Sequence, residues 1–382
     1  MVSCFEDLSN ELVYEIFEYL NHFHAYNAFF DLNTRFRYLL TNSNSSIKIN
    51  LSSVSKAIWK QYNADIIENN MHRITTFRIP DVFIYDCVLS SLEKLLTFNR
   101  IQCLILNHIE PKCLENLLHQ LISLSQLSSL TITTSEYVRN RNDISRAIFS
   151  LRALKYCKLS LPAKNVHDPL PICVHEYSPI EHLIIKDPTY LHQLDSLLSY
   201  VPRLRRTSLV LYRNETLIRS ALKFIFACKQ LTHLSLELSS NIDFFLIEKI
   251  VRELFPAIEV LHLTLSWYFD QHYANADNWK QLIILQLPYL RIFDIHYPLP
   301  AARSIFSLSG NMLMNQFTTP FWIDRQWSFA CQLYKNGSIG DGLFYSTNPY
   351  RYSSTDENFH HMYCSAFFYR LEENVTHYMI DK

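Results

Sequence analysis

One short apolar pattern recurs along this chain and limits its possible folds more than any other feature. Segments of the form apolar-x-x-apolar-x-apolar begin at Ile74, Ile101, Leu127, Leu154, Ile180, Leu204, Leu231, Ile258 and Leu290, with Thr207 at the middle position of the segment that begins at Leu204. Seven of the eight intervals between these positions are 24–27 residues long, and the last is 32. Each segment alternates as a strand of about five residues does. A steady period of this length is typical of repeat arrays, whose units bury their apolar faces against their neighbours.

Apolar residues at helical spacing follow several of these strands and predict one helix per repeat. Four groups carry the pattern: Leu114, Leu117, Leu118 and Leu121; Leu191, Leu194, Leu197 and Leu198; Leu217, Ile218, Ala221, Leu222 and Ile225; Phe245, Leu246, Ile250, Val251 and Leu254. Two helices are predicted to end at Val201-Pro202 and Phe255-Pro256, because proline cannot continue a helix.

A strand with L-x-x-L-x-L and a helix in about 26 residues resembles a leucine-rich repeat, over roughly residues 70–300. The resemblance implies a solenoid of parallel strands with outer helices. The polar residue that the family places after the strand is missing, since those positions hold residues such as Val82, Ile109 and Pro162. An ordinary α/β domain with a doubly wound parallel sheet is the alternative.

Glycine usage excludes several function classes. The chain has 4 glycines in 382 residues, and they are Gly310, Gly337, Gly340 and Gly342. Phosphate-binding loops and the nucleophile elbow of α/β-hydrolases need glycine at fixed positions. We therefore expect neither nucleotide-dependent nor hydrolase chemistry.

The first forty residues carry a separate helical pattern. Ser9 is a suitable helix N-cap, and an apolar face follows it, made of Leu12, Val13, Ile16, Phe17 and Leu20. Two further short helices are expected, the second around Ala25, Ala28 and Phe29 and the third around Phe36, Leu39 and Leu40. Three short helices cannot enclose a stable core alone, so part of this surface should meet a partner or the next domain.

This stretch resembles an F-box. Seven positions match in register, namely Leu8, Glu11, Leu12, Ile16, Phe17, Tyr19 and Leu20. Arg35 and Phe36 stand where the family has a basic residue and Trp, and Ser9 replaces the usual proline. The resemblance implies a substrate-receptor subunit that docks on a Skp-type adaptor and, through it, on a cullin–RING ubiquitin ligase. The implied adaptor-binding residues are Leu8, Ser9, Glu11, Leu12, Ile16, Phe17, Leu20 and Phe36. A helical hairpin that caps the first repeat is the alternative.

Alternate strand residues should point outward from the array and offer a surface to a protein substrate. The candidate substrate-binding residues are Tyr156, Lys158, His182, Arg206, His233 and His262. Tyr and Arg are typical anchors of protein interfaces. Ordinary solvated strand positions are the alternative for each of them.

No other constellation carries chemistry. His360, His361 and Cys364 have no second cluster at zinc spacing, and Cys173-x-His175-Glu176 lacks a third group, so we expect no catalytic residue, metal or cofactor. With 35 Lys+Arg against 36 Asp+Glu, no nucleic-acid partner is expected. An acidic N-terminus and single cysteines favour a protein of the cytoplasm or nucleus, without a membrane span.

The sequence thus predicts an α/β chain in three parts. A three-helix F-box-like domain spans 1–48, a leucine-rich-repeat-like solenoid 49–297, and an irregular, aromatic-rich cap 298–382 with an Asn336-Gly337 hairpin turn. Cap aromatics that contact the substrate are the alternative to a purely structural cap. The predicted function is substrate recognition for a ubiquitin ligase. A repeat scaffold that binds a protein with no ligase role is the alternative.

Overall fold

The computed structural model divides the chain into two compact units, Met1–Asp187 and Pro188–Lys382. It describes residues 5–42, 46–51, 56–79, 99–164, 169–174, 177–213, 224–238, 242–265, 270–299, 310–334, 342–348 and 375–378.

The first unit begins with three helices and continues with parallel strands. The helices are α1 (Asn10–Tyr19), α2 (His22–Phe29) and α3 (Thr34–Asn42). Then follow β1 (Ile47–Asn50), α4 (Lys56–Tyr62), a π-helical turn (Asn63–Ile67), α5 (Glu68–Asn70), a 3-10 turn (Met71–Arg73) and β2 (Ile74–Ile79). The remaining elements are β3 (Cys103–Ile109), α6 (Pro111–Leu121), β4 (Ser129–Thr134), α7 (Arg141–Phe149), β5 (Tyr156–Ser160) and β6 (His182–Tyr190), which runs past the unit boundary.

In the second unit, strands and helices alternate before an antiparallel end. It contains α8 (Leu191–Tyr200), β7 (Arg206–Tyr212), β8 (His233–Leu238), α9 (Phe244–Leu254), β9 (Val260–Leu265), a 3-10 turn (Gln271–Ala274), α10 (Ala276–Gln286) and β10 (Ile292–Leu299). After these come α11 (Gly310–Gln316), α12 (Pro320–Ile323), β11 (Ser328–Tyr334), β12 (Gly342–Asn348) and β13 (Val375–Tyr378).

Parallel strands follow one another in sequence order within each unit. The first unit has the order β1-β2-β3-β4-β5-β6, and the second begins β7-β8-β9-β10. Each of the nine predicted segments carries a strand, which confirms an α/β chain with a mostly parallel sheet. Neither described order reverses, whereas a doubly wound sheet requires a reversal.

The alternation of buried and partly exposed side chains along each strand shows which face of the strand packs into the core. In β4 and β8, every second side chain is buried, and the remaining ones are partly exposed. The apolar stripes of α6 and α8, which include Leu114, Leu121 and Leu194, are also buried. As predicted, α8 ends before Val201-Pro202 and α9 before Phe255-Pro256. The helix predicted at 217–225 falls largely outside the described residues, and Ile225 is exposed.

The expectation of an irregular C-terminal part is wrong for its described residues. Strand β12 pairs antiparallel with β10 and with β11, and β11 pairs antiparallel with β13. The antiparallel pairing of β11 and β12 confirms the predicted hairpin, although Asn336-Gly337 itself lies outside the described residues. The physical reason is that β10 has a second hydrogen-bonding edge, and β12 satisfies its backbone groups.

Aromatic side chains fill the space beside this hairpin. Trp322 packs against Phe317 with ring centroids 4.9 Å apart and against Phe329 at 5.4 Å. Phe329 stacks on Phe344 of β12 at 5.4 Å, and Phe293 of β10 lies 6.1 Å from Trp322. These contacts support the structural interpretation of the C-terminal aromatics for the described residues, since the rings are buried among themselves.

Candidate functional site

Each of the three N-terminal helices begins at a polar residue whose side chain caps it. The Ser9 hydroxyl accepts a hydrogen bond from the Leu12 amide at 3.4 Å. The Asn21 side-chain Oδ1 accepts from the Phe23 amide at 3.1 Å, and the Asn33 side-chain Oδ1 accepts from the Phe36 amide at 3.0 Å. These caps satisfy amides at helix starts that have no partner within the helix, so short helices form here. Hydrogen bonds from its own backbone and from Ser9 lower the pKa of Glu11.

A small apolar core joins the helices. Val13, Phe36 and Leu39 are buried, and Leu8 and Phe17 pack against them from the edge. Phe36, one of the expected adaptor-binding residues, is fully buried in this core. The reason is geometric: Phe36 lies in the first turn of α3, beneath the rings of Phe5 and Phe29, at centroid distances of 5.6 Å each.

Arg35 fastens the segment before α1 to α3. Its guanidinium donates to the Glu6 carbonyl at 2.6 Å and to the Leu8 carbonyl at 2.5 Å. It also donates twice to the Asn10 side-chain oxygen, at 3.0 and 2.8 Å. One cation thereby holds three successive points of the chain, which fixes the start of α1 relative to α3.

One side of the helical group is occupied by the segment that leads into the repeats. Phe23 of α2 meets Tyr62 edge-on at 5.2 Å, and the Tyr26 hydroxyl donates to Asp65 at 2.6 Å. The Arg73 guanidinium donates to the Thr41 carbonyl at 3.0 Å. These contacts attach α2 and α3 to the segment between β1 and β2, as a capping hairpin would be attached.

Large apolar side chains remain exposed elsewhere on the helical group. The exposed set, called here the box surface, is Phe5, Leu12, Tyr19, Leu20, Leu32 and Tyr38. Tyr19 is 92% exposed and Leu12 is 46% exposed. Of the expected adaptor-binding residues, Leu12 and Leu20 belong to this surface, and Ser9 and Glu11 are exposed as well. Leu8, Ile16 and Phe17 are partly exposed.

Sequence reasoning missed Leu32 and Tyr38, and it gave Tyr19 no binding role. Assigning a buried and an exposed face to each helix would have identified Tyr38 as an exposed residue. In α3, Phe36, Leu39 and Leu40 are buried, and Tyr38 is exposed.

In the first unit, the strand register brings three of the six candidate substrate-binding residues together. Tyr156 pairs with His182 in the ladder, and their rings meet edge-on at 4.9 Å. Lys158 lies two residues beyond Tyr156 and pairs with Ile184. All of these side chains are partly exposed, as predicted for outward strand positions.

The other three candidates lie in the second unit. Arg206 pairs with His233, and His233 pairs with Val260. His262 is two residues beyond Val260, and its Nδ1 lies 2.8 Å from the Asp294 carboxylate. Both side chains of that pair are partly exposed, so the interaction is screened and contributes about 1 kcal/mol or less. Asp294 was missing from the candidates, although it occupies the position in its repeat that His262 occupies in the preceding one.

The remaining sequence motifs add no site. Cys173 is buried, whereas His175, Glu176, His360, His361 and Cys364 lie outside the described residues. Within the described part of the chain, no three His, Cys, Asp or Glu side chains are grouped as metal ligands would be. No helix in that part is both long enough and apolar enough to span a bilayer.

Comparison with known proteins identifies no relative: no family model matches the chain, and no curated protein matches it. The two surfaces described above are therefore the basis for a functional conclusion.

Proposed function

We propose that this chain recruits a protein substrate to a cullin–RING ubiquitin ligase. Residues 5–42 act as an F-box that docks on a Skp-type adaptor, and the strands of a leucine-rich-repeat-like solenoid bind the substrate. No catalytic step is assigned to the chain. The proposal places it in the cytoplasm, the nucleus or both.

The box surface is the observation that carries the proposal. Phe23 and Tyr26 of α2 already contact the segment around Tyr62, so capping the repeats does not require further apolar residues. Leu12, Tyr19 and Leu20 nevertheless remain exposed in α1 and directly after it. Burying a Leu side chain of this kind stabilises a complex by about 1.5–3 kcal/mol. Burial of Leu12 and Leu20 by an adaptor would therefore favour binding, against the entropic cost of association.

Ser9 and Arg35 support the same assignment from the fold of the box. Ser9 replaces the usual proline of the family, but its hydroxyl caps α1 and keeps the helix start in place. Arg35 holds that start against α3 through the carbonyls of Glu6 and Leu8. The presented residues are thus fixed before a partner binds, which lowers the entropic cost of association.

Adaptor capture tests the proposal. Purified chain is mixed with a tagged Skp-type adaptor, and the double variant Leu12→Asp/Leu20→Asp is compared with Ile122→Asp, which changes an exposed apolar residue directly after α6. We expect the original chain and Ile122→Asp to be captured, and Leu12→Asp/Leu20→Asp to be lost with unchanged circular dichroism. Absence of capture of the original chain would refute the ligase role.

A protein-binding repeat scaffold with no ligase role is the second candidate. It is favoured by the contacts of Phe23, Tyr26 and Arg73, which are those of a capping hairpin. The capture experiment separates the two, because a scaffold would not bind the adaptor.

A further inference from the structure

The outward face of the first unit's strands carries charge of one sign. Among the described outward positions of β1–β6 up to Lys186, the charged side chains are Lys48, Arg78, Lys158 and Lys186, and none is Asp or Glu. The chain as a whole is balanced, with 35 Lys+Arg and 36 Asp+Glu. Asp187, next to Lys186, faces the opposite side of the strand and is buried. The positive charge is therefore a property of this face and does not reflect an excess of basic residues in the chain.

Two of these cations lie on neighbouring strands beside an aromatic pair. Lys158 pairs with Ile184 across β5 and β6, and Lys186 lies two residues further along β6. Strands are about 4.8 Å apart and two residues span about 6.6 Å, so the Cα atoms of the two lysines are about 8 Å apart. Tyr156 and His182, in edge-on contact, occupy the same face at the start of both strands. These four residues are called the β5–β6 patch.

We propose that the β5–β6 patch binds an acidic peptide segment, with the two ammonium groups contacting its carboxylates or a phosphate. The inference rests on the proposed function for the origin of that segment, which is the recruited protein. Two cations at this separation match anionic groups on alternate residues of an extended peptide, since those residues repeat every 6.6 Å or so. The Tyr156–His182 pair supplies the apolar and hydrogen-bonding contact that side chains of a peptide also need.

A nucleic acid fits this face less well. Its backbone presents charges continuously, and binding it takes a stripe of many cations. The described outward positions of this face provide four cations. The rings of Tyr156 and His182 contact each other edge-on and do not present a flat surface on which bases could stack.

Peptide binding to the purified chain, without adaptor, tests the proposal. The probes are fluorescent ten-residue peptides of one backbone sequence, carrying glutamates, phosphoserines or glutamines at alternate positions, together with a single-stranded RNA. Fluorescence anisotropy compares the original chain with Lys158→Gln/Lys186→Gln. The matched control is Lys112→Gln/Arg152→Gln, which removes the same net charge from exposed positions in α6 and in the turn before β5.

We expect the glutamate or the phosphoserine peptide to bind, with about tenfold loss in Lys158→Gln/Lys186→Gln and little loss in the control. Binding should weaken as salt rises, because exposed charges are screened. Whichever anionic peptide binds more tightly identifies the anionic group. Equal binding of the glutamine peptide, equal loss in the control, or binding of RNA alone would each overturn the proposal.

The outcome is independent of the ligase role. Leu12→Asp/Leu20→Asp should retain peptide binding while losing the adaptor, and Lys158→Gln/Lys186→Gln should do the reverse. A chain that captures the adaptor but binds neither anionic peptide would refute the patch alone.

Discussion

Trp322 offers a direct test of whether the C-terminal aromatics hold the second unit together. The ring is 1% exposed, and it contacts Phe317, Phe329 and Phe293 at centroid distances of 4.9, 5.4 and 6.1 Å. A buried Trp removes about 200 Å² from water, which corresponds to about 5 kcal/mol at 25 cal/mol/Å². Partial collapse of the cavity lowers the expected cost of Trp322→Ala to about 3–5 kcal/mol.

The assay is guanidinium unfolding followed by tryptophan fluorescence, supported by calorimetry. For a unit of this size, the loss corresponds to a melting temperature lowered by about 6–20 °C. Ile323→Ala is the matched control, because its side chain is exposed and should cost about 0.5 kcal/mol or less. A change below about 1 kcal/mol for Trp322→Ala would refute the structural role and return the aromatics to the substrate-contact interpretation.

Two further predictions concern the helical group. Desolvation lowers the pKa of His22 to about 4, below its unfolded value of about 6.5, so the unfolded chain binds the proton first as the pH falls. The stability that neutral His22 contributes is present above pH 6.5 and is lost towards pH 4. We therefore expect the free energy of unfolding to be about 2 kcal/mol lower at pH 5 than at pH 7.5. In urea titrations, His22→Gln should remove this part of the pH dependence of the unfolding free energy. Arg35→Ala should destabilise the helical group by about 1–3 kcal/mol, because it removes the hydrogen bonds to Glu6, Leu8 and Asn10. In this variant, backbone amide hydrogen exchange should be faster in α1 than in β4. Equal protection of α1 and β4 in the variant would contradict this role of Arg35.

The repeat period alone predicts most of the parallel sheet, with one systematic offset. The first apolar residue of a segment generally precedes its strand by two positions, as with Leu127 before Ser129 and Leu154 before Tyr156. Both leucines are buried, so they pack into the core from the turn before the ladder begins. A hydrophobic pattern records burial, and burial extends beyond the hydrogen-bonded strand.

The strands that the sequence did not predict lack the apolar segment of the repeats. Strand β1 is four residues long and pairs with β2 at Ile47↔Ile74, the same separation as in the repeats, but its sequence IKIN does not contain the full segment. The antiparallel end depends on β12 reaching β10, across some fifty residues. Neither β1 nor β12 carries the apolar segment of the repeats, and local alternation does not determine which sheet edge a strand will join.

The structure explains why the repeats can be built without glycine. A strand–turn–helix unit can be built from extended and right-handed residues, so repeats of this kind do not require glycine. Among the described residues, His108 and Gln326 have a positive φ without being glycine. At His108, the Thr133 hydroxyl accepts the backbone amide at 2.9 Å and offsets part of the cost of that conformation.

The candidate site was predictable to the extent that alternation decides it. Outward strand positions such as Tyr156, Lys158 and His182 follow from a period of two, and the register then aligns them. The burial of Phe36 did not follow from the resemblance, because a resemblance assigns a residue to a motif and not to a face. Whether an aromatic in a short helix points into or out of a three-helix core depends on the helix packing, which the motif does not contain.

The capping and docking interpretations of the helical group use different residues and are compatible. Capping employs Phe23 and Tyr26, which contact Tyr62 and Asp65. Docking would employ Leu12, Tyr19 and Leu20, which the described contacts leave exposed. Tyr19 is 92% exposed, so a hairpin that served only to seal the repeats would gain solubility from a charged residue there at little cost in packing. We propose that a partner covers Leu12, Tyr19 and Leu20, and the substitution of Leu12 and Leu20 by aspartate tests this proposal directly.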